Sequence, residues 1–285
     1  MITSESYTRI SLALDIVGKI PEGPWKGYHE LGIIKHQIDL HDTISMEPSR
    51  ELSIRCNDNR VPCDESNICI KAVKLMQQEC GIDENVEIRL EKRIPVMGGL
   101  AGGSANAATV LSMLNDLWDL EMDDGDLMLI GRRLGMDVPF FFTGGTAFDT
   151  ETASFPESIE TSLEMSFVLA IPDFGISTRE AYEGIDYSMT GKNQHRTDMM
   201  RNAFACDNLD TIVREMHNDF EISVFPRYPL LAEIKERLIR NGCRNAVMSG
   251  SGSTIIGITE DREHALDIQN KLGLTSIISS TFIRK

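Results

Sequence analysis

Alternating apolar and polar positions near the start of the chain predict a β-strand. Every second residue between positions 10 and 16 is a large aliphatic: Ile10, Leu12, Leu14 and Ile16. A period of two is typical of a strand with one buried face. The same alternation recurs over residues 86–90, and a second strand-rich region covers residues 33–54.

Helical spacing of apolar residues follows each strand region. Ser66 or Asn67 can cap a helix that Gly81 ends. A longer helix is predicted from about Ser104 through Trp118, directly after a cluster of glycines, and another over residues 125–134.

A polar stretch over residues 150–158 indicates a junction, so the chain is divided into an N-terminal domain, 1–157, and a C-terminal domain, 158–285. The second half alternates strands and helices. Strands are predicted over 167–171, 246–248, 254–259 and 276–283, and helices around 177–184, 196–219, 229–241 and 262–272. Antiparallel sheet covered by helices is the simplest packing of that order, so both halves are expected to be α+β.

Composition narrows the class of protein. The chain has 285 residues, a net charge of −16 and a pI near 4.8, which argues against nucleic-acid or anionic-membrane partners. No signal peptide or long apolar run is present, and the six cysteines form no Cys-x-x-Cys pair. We therefore expect a cytoplasmic protein whose partner is a small molecule and not a nucleic acid or a membrane. The composition does not distinguish a monomer from a homodimer.

The strongest chemical signal is a glycine loop between a strand and an apolar helix. Four glycines, Gly98, Gly99, Gly102 and Gly103, fall within six positions and are followed by Ser104. Glycines let a ligand approach the backbone, and the start of the helix presents N–H groups to an anion. The loop therefore predicts a polyphosphate site, with Ser104 able to offer a hydroxyl to Mg²⁺. A plain flexible turn is the alternative.

Three weaker signals accompany the loop. Asp137, before Val-Pro and three phenylalanines, indicates either a ligand cleft or a structural ion pair. Tyr28 and His29 suit the binding of a planar base, although such a pair is more often an ordinary surface or core feature. The glycine-serine segment 248–254 can close over phosphate or form a simple hairpin turn.

Taken in order, these motifs resemble those of the GHMP kinases, the superfamily named for galactose, homoserine, mevalonate and phosphomevalonate. Within it the chain is most similar to the 4-diphosphocytidyl-2-C-methyl-D-erythritol kinases of the non-mevalonate isoprenoid pathway. The narrower match rests on residues 27–31, on Pro62-Cys-Asp64 with Asn67 and Lys71-Ala72, on residues 95–107 and 135–139, and on residues 218–221 and 248–252.

The resemblance implies an ATP-dependent kinase that uses Mg²⁺. Its fold would combine a half like domain 2 of ribosomal protein S5 with a ferredoxin-like half, with the active site between them. Asp137 and Arg9 would be catalytic. The ATP phosphates would be wrapped by Pro95, Val96, Met97, Gly98, Gly99, Leu100, Ala101, Gly102, Gly103, Ser104 and Ala105, with Asn67 and Lys92 near the nucleoside. The substrate would contact Ser11, Tyr28, His29, Thr178, Tyr182, Gly250 and Ser251, with Tyr28 and Tyr182 sandwiching the cytosine.

One departure bears on activity. The family's first strand normally supplies a catalytic lysine and a substrate-binding asparagine, whereas this chain has Arg9 and Ser11. Arginine keeps the positive charge but does not exchange its proton. If the lysine acts electrostatically, activity is retained. If it transfers a proton, the chain is a weak enzyme or a nucleotide-binding homologue, and Ser11 leaves a different small alcohol open as substrate.

Overall fold

The computed structural model describes residues 1–22, 26–152 and 154–283. Ala153, in the predicted junction, lies outside the described residues. The strands are β1 (Ile2–Lys19), β2 (His29–Ser49), β3 (Ser53–Cys56), β4 (Asn85–Glu91), β5 (Thr146–Asp149), β6 (Glu157–Ser158), β7 (Ser166–Ala170), β8 (His217–Asn218), β9 (Asn245–Met248), β10 (Ile255–Thr259) and β11 (Ser276–Ser280). None of the helices in these ranges has the length and apolar composition that crossing a bilayer requires.

The helices are α1 (Ile68–Cys80), α2 (Gly102–Leu117), α3 (Asp124–Leu134), α4 (Phe140–Thr143), α5 (Thr178–Tyr182), α6 (Gln194–Ala205), α7 (Leu209–Glu215), α8 (Phe220–Val224), α9 (Pro229–Arg240) and α10 (Arg262–Leu272).

The chain forms two compact units, neither of which is continuous in sequence. Unit 1 comprises Met1–Thr8, Leu40–Val96 and Ala101–Gly144, and unit 2 comprises Arg9–Asp39, Met97–Leu100 and Gly145–Lys285. The boundary predicted between residues 157 and 158 is a single cut along the chain, which these units do not follow. That boundary stays a prediction.

Unit 1 packs helices α1, α2 and α3 against strands. The second half of β2 pairs antiparallel with β4, from Thr43 opposite Glu91 to Ser49 opposite Asn85, and β3 pairs parallel with β4. The expected cap of α1 is confirmed, because the Asn67 side chain accepts from the Cys69 amide and Gly81 ends the helix at a φ of 67°.

Unit 2 contains a four-stranded antiparallel sheet in the order β11-β7-β10-β9, against which α9 and α10 pack. The first half of β2 also pairs with β5 in this unit, and β8 pairs parallel with β1. The α+β class expected from the order of elements is confirmed.

Strand β1 differs from its prediction, because both of its faces are buried between Ile10 and Ile16. The alternating polar residues are not solvated. The Asp15 carboxylate accepts from the Thr197 hydroxyl at 2.6 Å and lies 3.2 Å from the His217 ring, and the Ser11 amide donates to the Ser249 hydroxyl. A buried polar group is tolerated when its hydrogen bonds are made. The polar positions that alternate along β1 therefore hold residues with buried hydrogen-bond partners, and not residues that face solvent.

The helix predicted over residues 196–219 is also corrected, because the structure has α6, α7 and then β8 in this region. Asp207 adopts a left-handed φ of 51°, and the Asn208 side chain caps α7 by accepting from the Thr211 amide. An Asx residue that satisfies its own backbone competes with the helix, which explains the break.

A buried ion cluster joins β2 to β5. The Lys35 ammonium is fully buried and lies 2.7 Å from Asp149 and 2.8 Å from Glu151. The next residue, His36, is held between the hydroxyls of Thr146 and Thr281, and burial lowers the pKa of its imidazole to about 3, so the ring is neutral.

Replacing the buried ammonium should be strongly destabilising. In Lys35→Met the Asp149 carboxylate loses its buried counter-ion, so we expect the free energy of unfolding in urea to fall by about 3–5 kcal/mol. The matched control is Lys271→Met, which breaks an exposed helical pair with Asp267 and should cost no more than about 0.5 kcal/mol. Equal losses for the two variants would contradict this account.

Candidate active site

The first half of the glycine loop belongs to unit 2 and rests on a turn that follows β9. The Gly99 carbonyl accepts from Arg9 Nη1 at 2.9 Å and from Ser249 Oγ at 3.1 Å. The Gly98 carbonyl accepts from the Thr254 amide at 3.2 Å. Three donors therefore fix two successive carbonyls of the loop.

Gly99 is required by this close approach. Its φ is +73°, and a Cβ added to it would lie 2.1 Å from the Ser249 carbonyl oxygen and 2.8 Å from that of Gly252. No real side chain tolerates such distances. The glycine at this position thus serves the packing of two backbone segments.

The second half of the loop belongs to unit 1 and starts α2. Ala101 turns the chain with a φ of 53°, and the helix begins at Gly102 with no side-chain cap. Gly103 is exposed, and a Cβ on it would meet only a methyl of Ile68, at 3.8 Å. An uncapped helix start with open space over its first turn suits an anion, because the first amides and the helix dipole both favour negative charge.

A buried carboxylate fixes the segment that leads into the loop. Asp42 is fully buried, and its Oδ1 accepts from the amides of Arg93 at 2.7 Å and Ile94 at 2.9 Å. Its Oδ2 accepts from Asn106 Nδ2 at 2.9 Å and pairs with the Lys92 ammonium. Because Asn106 is on α2 and Lys92 follows β4, Asp42 ties these two elements together.

Asp137 lies on a segment adjacent to the start of α2 within unit 1. The Ser104 hydroxyl is 3.9 Å from the Cβ position of Gly135, two residues before Asp137. Val138 and Phe140 beside it are fully buried, whereas Asp137 itself is half-buried. The segment that carries Asp137 therefore passes beside the first turn of α2.

In unit 2, His29 lies among aromatic residues. Its ring stacks on Tyr182 with centroids 3.8 Å apart and an interplanar angle of 13°. Its Nε2 is 2.7 Å from the Tyr187 hydroxyl. Burial first, and then the charge of Lys19, lower the pKa of His29 below its ordinary value, so the imidazole is neutral at pH 7.

Other predicted substrate residues lie on two elements of unit 2. Thr178, at the start of α5, has its hydroxyl 3.4 Å from that of Ser251. The Cβ position of Gly250 is 2.9 Å from the Gly99 carbonyl and 3.5 Å from Arg9 Nη1. Arg9 Nη1 is also 3.4 Å from the Ser11 hydroxyl. The structure thus brings together Arg9, Ser11, Gly99 and Gly250 in one group, and Thr178 with Ser251 in another.

A metal site made by protein carboxylates or thiols has no candidate in the described ranges, where no group of three or more His, Cys, Asp or Glu side chains is arranged to hold an ion. Asn67, predicted near the nucleoside, uses its oxygen to cap α1 and its amide to donate to the Pro62 carbonyl at 2.6 Å. Its nucleoside role stays a prediction, as does that of Lys92.

Comparison with known proteins identifies the family. The family model described as GHMP kinases N terminal domain matches residues 67–145, and the one described as GHMP kinases C terminal matches residues 200–275. A 4-diphosphocytidyl-2-C-methyl-D-erythritol kinase of Thermoanaerobacter pseudethanolicus is 36% identical over 262 residues, which cover 92% of this chain and 89% of that protein. The chain belongs to the GHMP kinases, among the 4-diphosphocytidyl-2-C-methyl-D-erythritol kinases.

Further comparisons agree with this membership. A second such kinase, of Gloeobacter violaceus, is 38% identical over 90% of this chain and 85% of its own length. A crystal structure described as 4-(cytidine 5'-diphospho)-2C-methyl-D-erythritol kinase superposes with a TM-score of 0.81 at 26% identity, covering 99% of this chain and all of the other. The two-domain GHMP kinase fold and the kinase class that the motifs implied are thereby confirmed.

Several residues that shape the candidate site have little or no signal in the sequence. Asp42 lies in a strand region and belongs to no motif, and Asn106 stands out only as part of the glycine motif. Tyr187 lies in a polar loop, and its approach to His29 has no signal in sequence spacing. Asn218 belongs to a motif that carries the resemblance, but the sequence does not indicate which groups it contacts.

Substitution by alanine should change the free energy of unfolding differently at two glycines of the loop. Gly99→Ala combines a left-handed φ with a backbone clash, so we expect a loss of at least about 2 kcal/mol in the free energy of unfolding. Gly103→Ala has open space in the first turn of α2 and should be neutral or stabilising by up to about 1 kcal/mol. Urea unfolding of both variants measures this, and similar losses in both would show that the assigned packing is wrong.

Proposed function

We propose that this protein transfers the γ-phosphoryl group of ATP to a hydroxyl of 4-diphosphocytidyl-2-C-methyl-D-erythritol, a step in the synthesis of isoprenoid precursors. The two relatives described above, which carry this name, are 36% and 38% identical to the chain over most of its length. We also infer that the enzyme is cytoplasmic and is a monomer or homodimer. Its net charge of −16 supports the further inference that it binds no nucleic acid or membrane.

One observation of the chain itself carries the proposal. The start of α2 has no side-chain cap, lies open at Gly103, and neighbours the segment of Asp137 through Ser104. Helix-terminal amides cradle phosphate oxygens, and a carboxylate next to them can accept from an alcohol that attacks the terminal phosphate. Residues Pro95 to Ala105 would wrap the ATP phosphates.

Mg²⁺ is part of the proposal. The Ser104 hydroxyl is a hard oxygen donor at the helix start and would hold the ion together with phosphate oxygens, which fits the absence of a carboxylate cluster in the described residues. When bound, the ion neutralises charge on the phosphates.

Asp137 would orient the substrate hydroxyl and accept its proton, and Arg9 would supply positive charge. The Arg9 side chain is nearly buried and hydrogen-bonded to the Gly99 carbonyl. Because an arginine does not release its proton, its part in the reaction is electrostatic and positional. A lysine that acted by proton transfer could not be replaced in this way.

The cytosine would bind near Tyr28, His29 and Tyr182, with Ser11, Thr178, Gly250 and Ser251 contributing to the substrate pocket. In this structure Tyr182 stacks directly on His29, and the Tyr187 hydroxyl occupies a hydrogen-bonding position of the same ring. A base that hydrogen-bonds to His29 Nε2 therefore has to displace the Tyr187 hydroxyl.

The proposal is tested by assay of the purified protein with ATP, Mg²⁺ and a panel of alcohols, following ADP release and identifying the phosphorylated product by ³¹P NMR. We expect turnover with 4-diphosphocytidyl-2-C-methyl-D-erythritol and little with mevalonate, homoserine or free cytidine. Turnover of another alcohol alone would assign a different substrate. Binding of an ATP analogue without any turnover would make the protein a nucleotide-binding homologue.

Asp137→Asn should lower kcat by about 10²–10⁴-fold, the range for loss of a positioned general base. The affinity for a non-hydrolysable ATP analogue, measured by calorimetry, should stay within about twofold, because Asp137 would act on the acceptor and not on the nucleotide. The matched control is Asp116→Asn, an exposed acid at the end of α2, which should leave kcat unchanged. Wild-type turnover in Asp137→Asn would exclude the assigned role.

Tyr187→Phe should lower the KM for the cytidine substrate by about twofold to tenfold, the equivalent of one hydrogen bond that no longer competes for His29. The KM for ATP and kcat should stay unchanged. Tyr228→Phe is the control, since it removes a tyrosine hydroxyl that bonds Glu180 instead. A higher KM in Tyr187→Phe would mean that the hydroxyl contacts the substrate.

A further inference from the structure

The side chain of Asn218 is buried and makes three hydrogen bonds to backbone groups. Its amide donates to the carbonyls of Met248 at 2.6 Å and Gly250 at 2.8 Å, and its Oδ1 accepts from the Phe220 amide at 2.9 Å. Only 5% of the residue is exposed. Two donors and one acceptor fix the orientation of the amide group, and an asparagine fits this set where an acid does not.

The two carbonyls that Asn218 binds lie on either side of Ser249. The Ser249 hydroxyl donates to the Gly99 carbonyl at 3.1 Å and accepts from the Ser11 amide at 3.3 Å. Ser249 is fully buried. Holding the neighbours of Ser249 on both sides therefore sets where its hydroxyl lies.

Contact between the turn and the glycine loop leaves little room for independent movement. The Cβ position of Gly99 is 2.1 Å from the Ser249 carbonyl oxygen, and that of Gly250 is 2.9 Å from the Gly99 carbonyl oxygen. Backbone segments this close move together, because native packing leaves no space to absorb a shift. A peptide unit is planar, so fixing the Gly99 carbonyl also fixes the plane of the Gly99–Leu100 peptide.

We propose that Asn218 is a positioning residue for the glycine loop. It holds the Met248–Gly250 turn so that the Ser249 hydroxyl fixes the Gly99 carbonyl, and thereby sets the geometry with which the loop meets the phosphates of ATP. The statement that the loop binds ATP rests on the proposed function. The link from Asn218 to Gly99 rests on the hydrogen bonds alone.

The test uses Asn218→Asp, which preserves size and the acceptor for the Phe220 amide but sets a carboxylate against two carbonyls. Ser249→Ala is the second variant, since it removes only the hydroxyl that reaches Gly99. The matched control is Asn245→Asp, which adds the same charge and loses a bond to the Val213 carbonyl, away from the turn.

We expect the KM for ATP, and the Kd of a non-hydrolysable ATP analogue, to rise roughly tenfold in Asn218→Asp, the loss typical of a buried hydrogen bond that is no longer made. In Ser249→Ala we expect a rise of at least about threefold for the same reason. The KM for the alcohol substrate should rise by a smaller factor than the KM for ATP in both variants. Some rise is expected, because the Gly250 carbonyl bonds Asn218, the Ser11 amide bonds Ser249, and both residues are assigned to the substrate pocket. Hydrogen exchange of the peptide covering residues 97–104, measured without nucleotide, should become faster in both variants and not in Asn245→Asp.

Unchanged exchange of that peptide in Asn218→Asp and Ser249→Ala would overturn the proposal, even if both variants are less stable. Equal rises in the KM for ATP and for the alcohol would overturn it as well. If the wild-type chain binds no ATP analogue, the proposed function fails, and the exchange data alone then decide whether Asn218 positions the loop. If Asn218→Asp does not fold, the hydrogen exchange and the ATP affinity of Ser249→Ala decide whether the Met248–Gly250 turn positions the loop.

Discussion

The close approach of two backbone segments is the constraint on which the rest of the site depends. Gly98 and Gly99 lie against the turn that follows β9, near enough that their carbonyls are shared among Arg9, Ser249 and the Thr254 amide. A side chain at Gly99 would prevent this contact. A glycine-rich segment suggests a flexible loop, but the packing at Gly99 makes this part of the loop a fixed one. A fixed loop would lose less entropy on binding an anion than a flexible one.

Buried polar side chains hold backbone segments in place in both units. Asp42 in unit 1 holds two backbone amides, the Asn106 amide and the Lys92 ammonium, and Asn218 in unit 2 holds two carbonyls. Each of them satisfies backbone or side-chain groups that water cannot reach, which makes its loss costly. Both units therefore use the same means to set the geometry of a loop, a buried polar side chain with several short hydrogen bonds.

The aromatic residues of unit 2 have a different character. His29 is stacked on Tyr182 and hydrogen-bonded to Tyr187, so the groups expected to recognise a base are satisfied by one another. As the proposed site for a base, this group would discriminate between ligands, because only a ligand that replaces both the stacking and the hydrogen bond would bind without a net loss. Specificity would then depend on the exchange of partners at His29 as much as on the shape of the pocket.

The sequence by itself determined the α+β class, most of the elements, a cap of α1 at Ser66 or Asn67, and the glycine loop, because these depend on local propensity and on short-range patterns. The motifs together determined the family. Local patterns also led to the two errors in the fold, since they do not show that Ser11 and Asp15 find buried partners or that Asp207 and Asn208 break a helix.

Only the tertiary structure decided which glycine serves packing and which lies open, since Gly99 and Gly103 look alike in the sequence. It also decided the roles of Asp42, Tyr187 and Asn218. Apart from the Phe220 amide next to Asn218, the partners of these residues lie between 30 and 158 residues away along the chain. The physical reason is that a hydrogen bond depends on distance and direction in space, and the position of such partners follows from the packing of whole strands and helices.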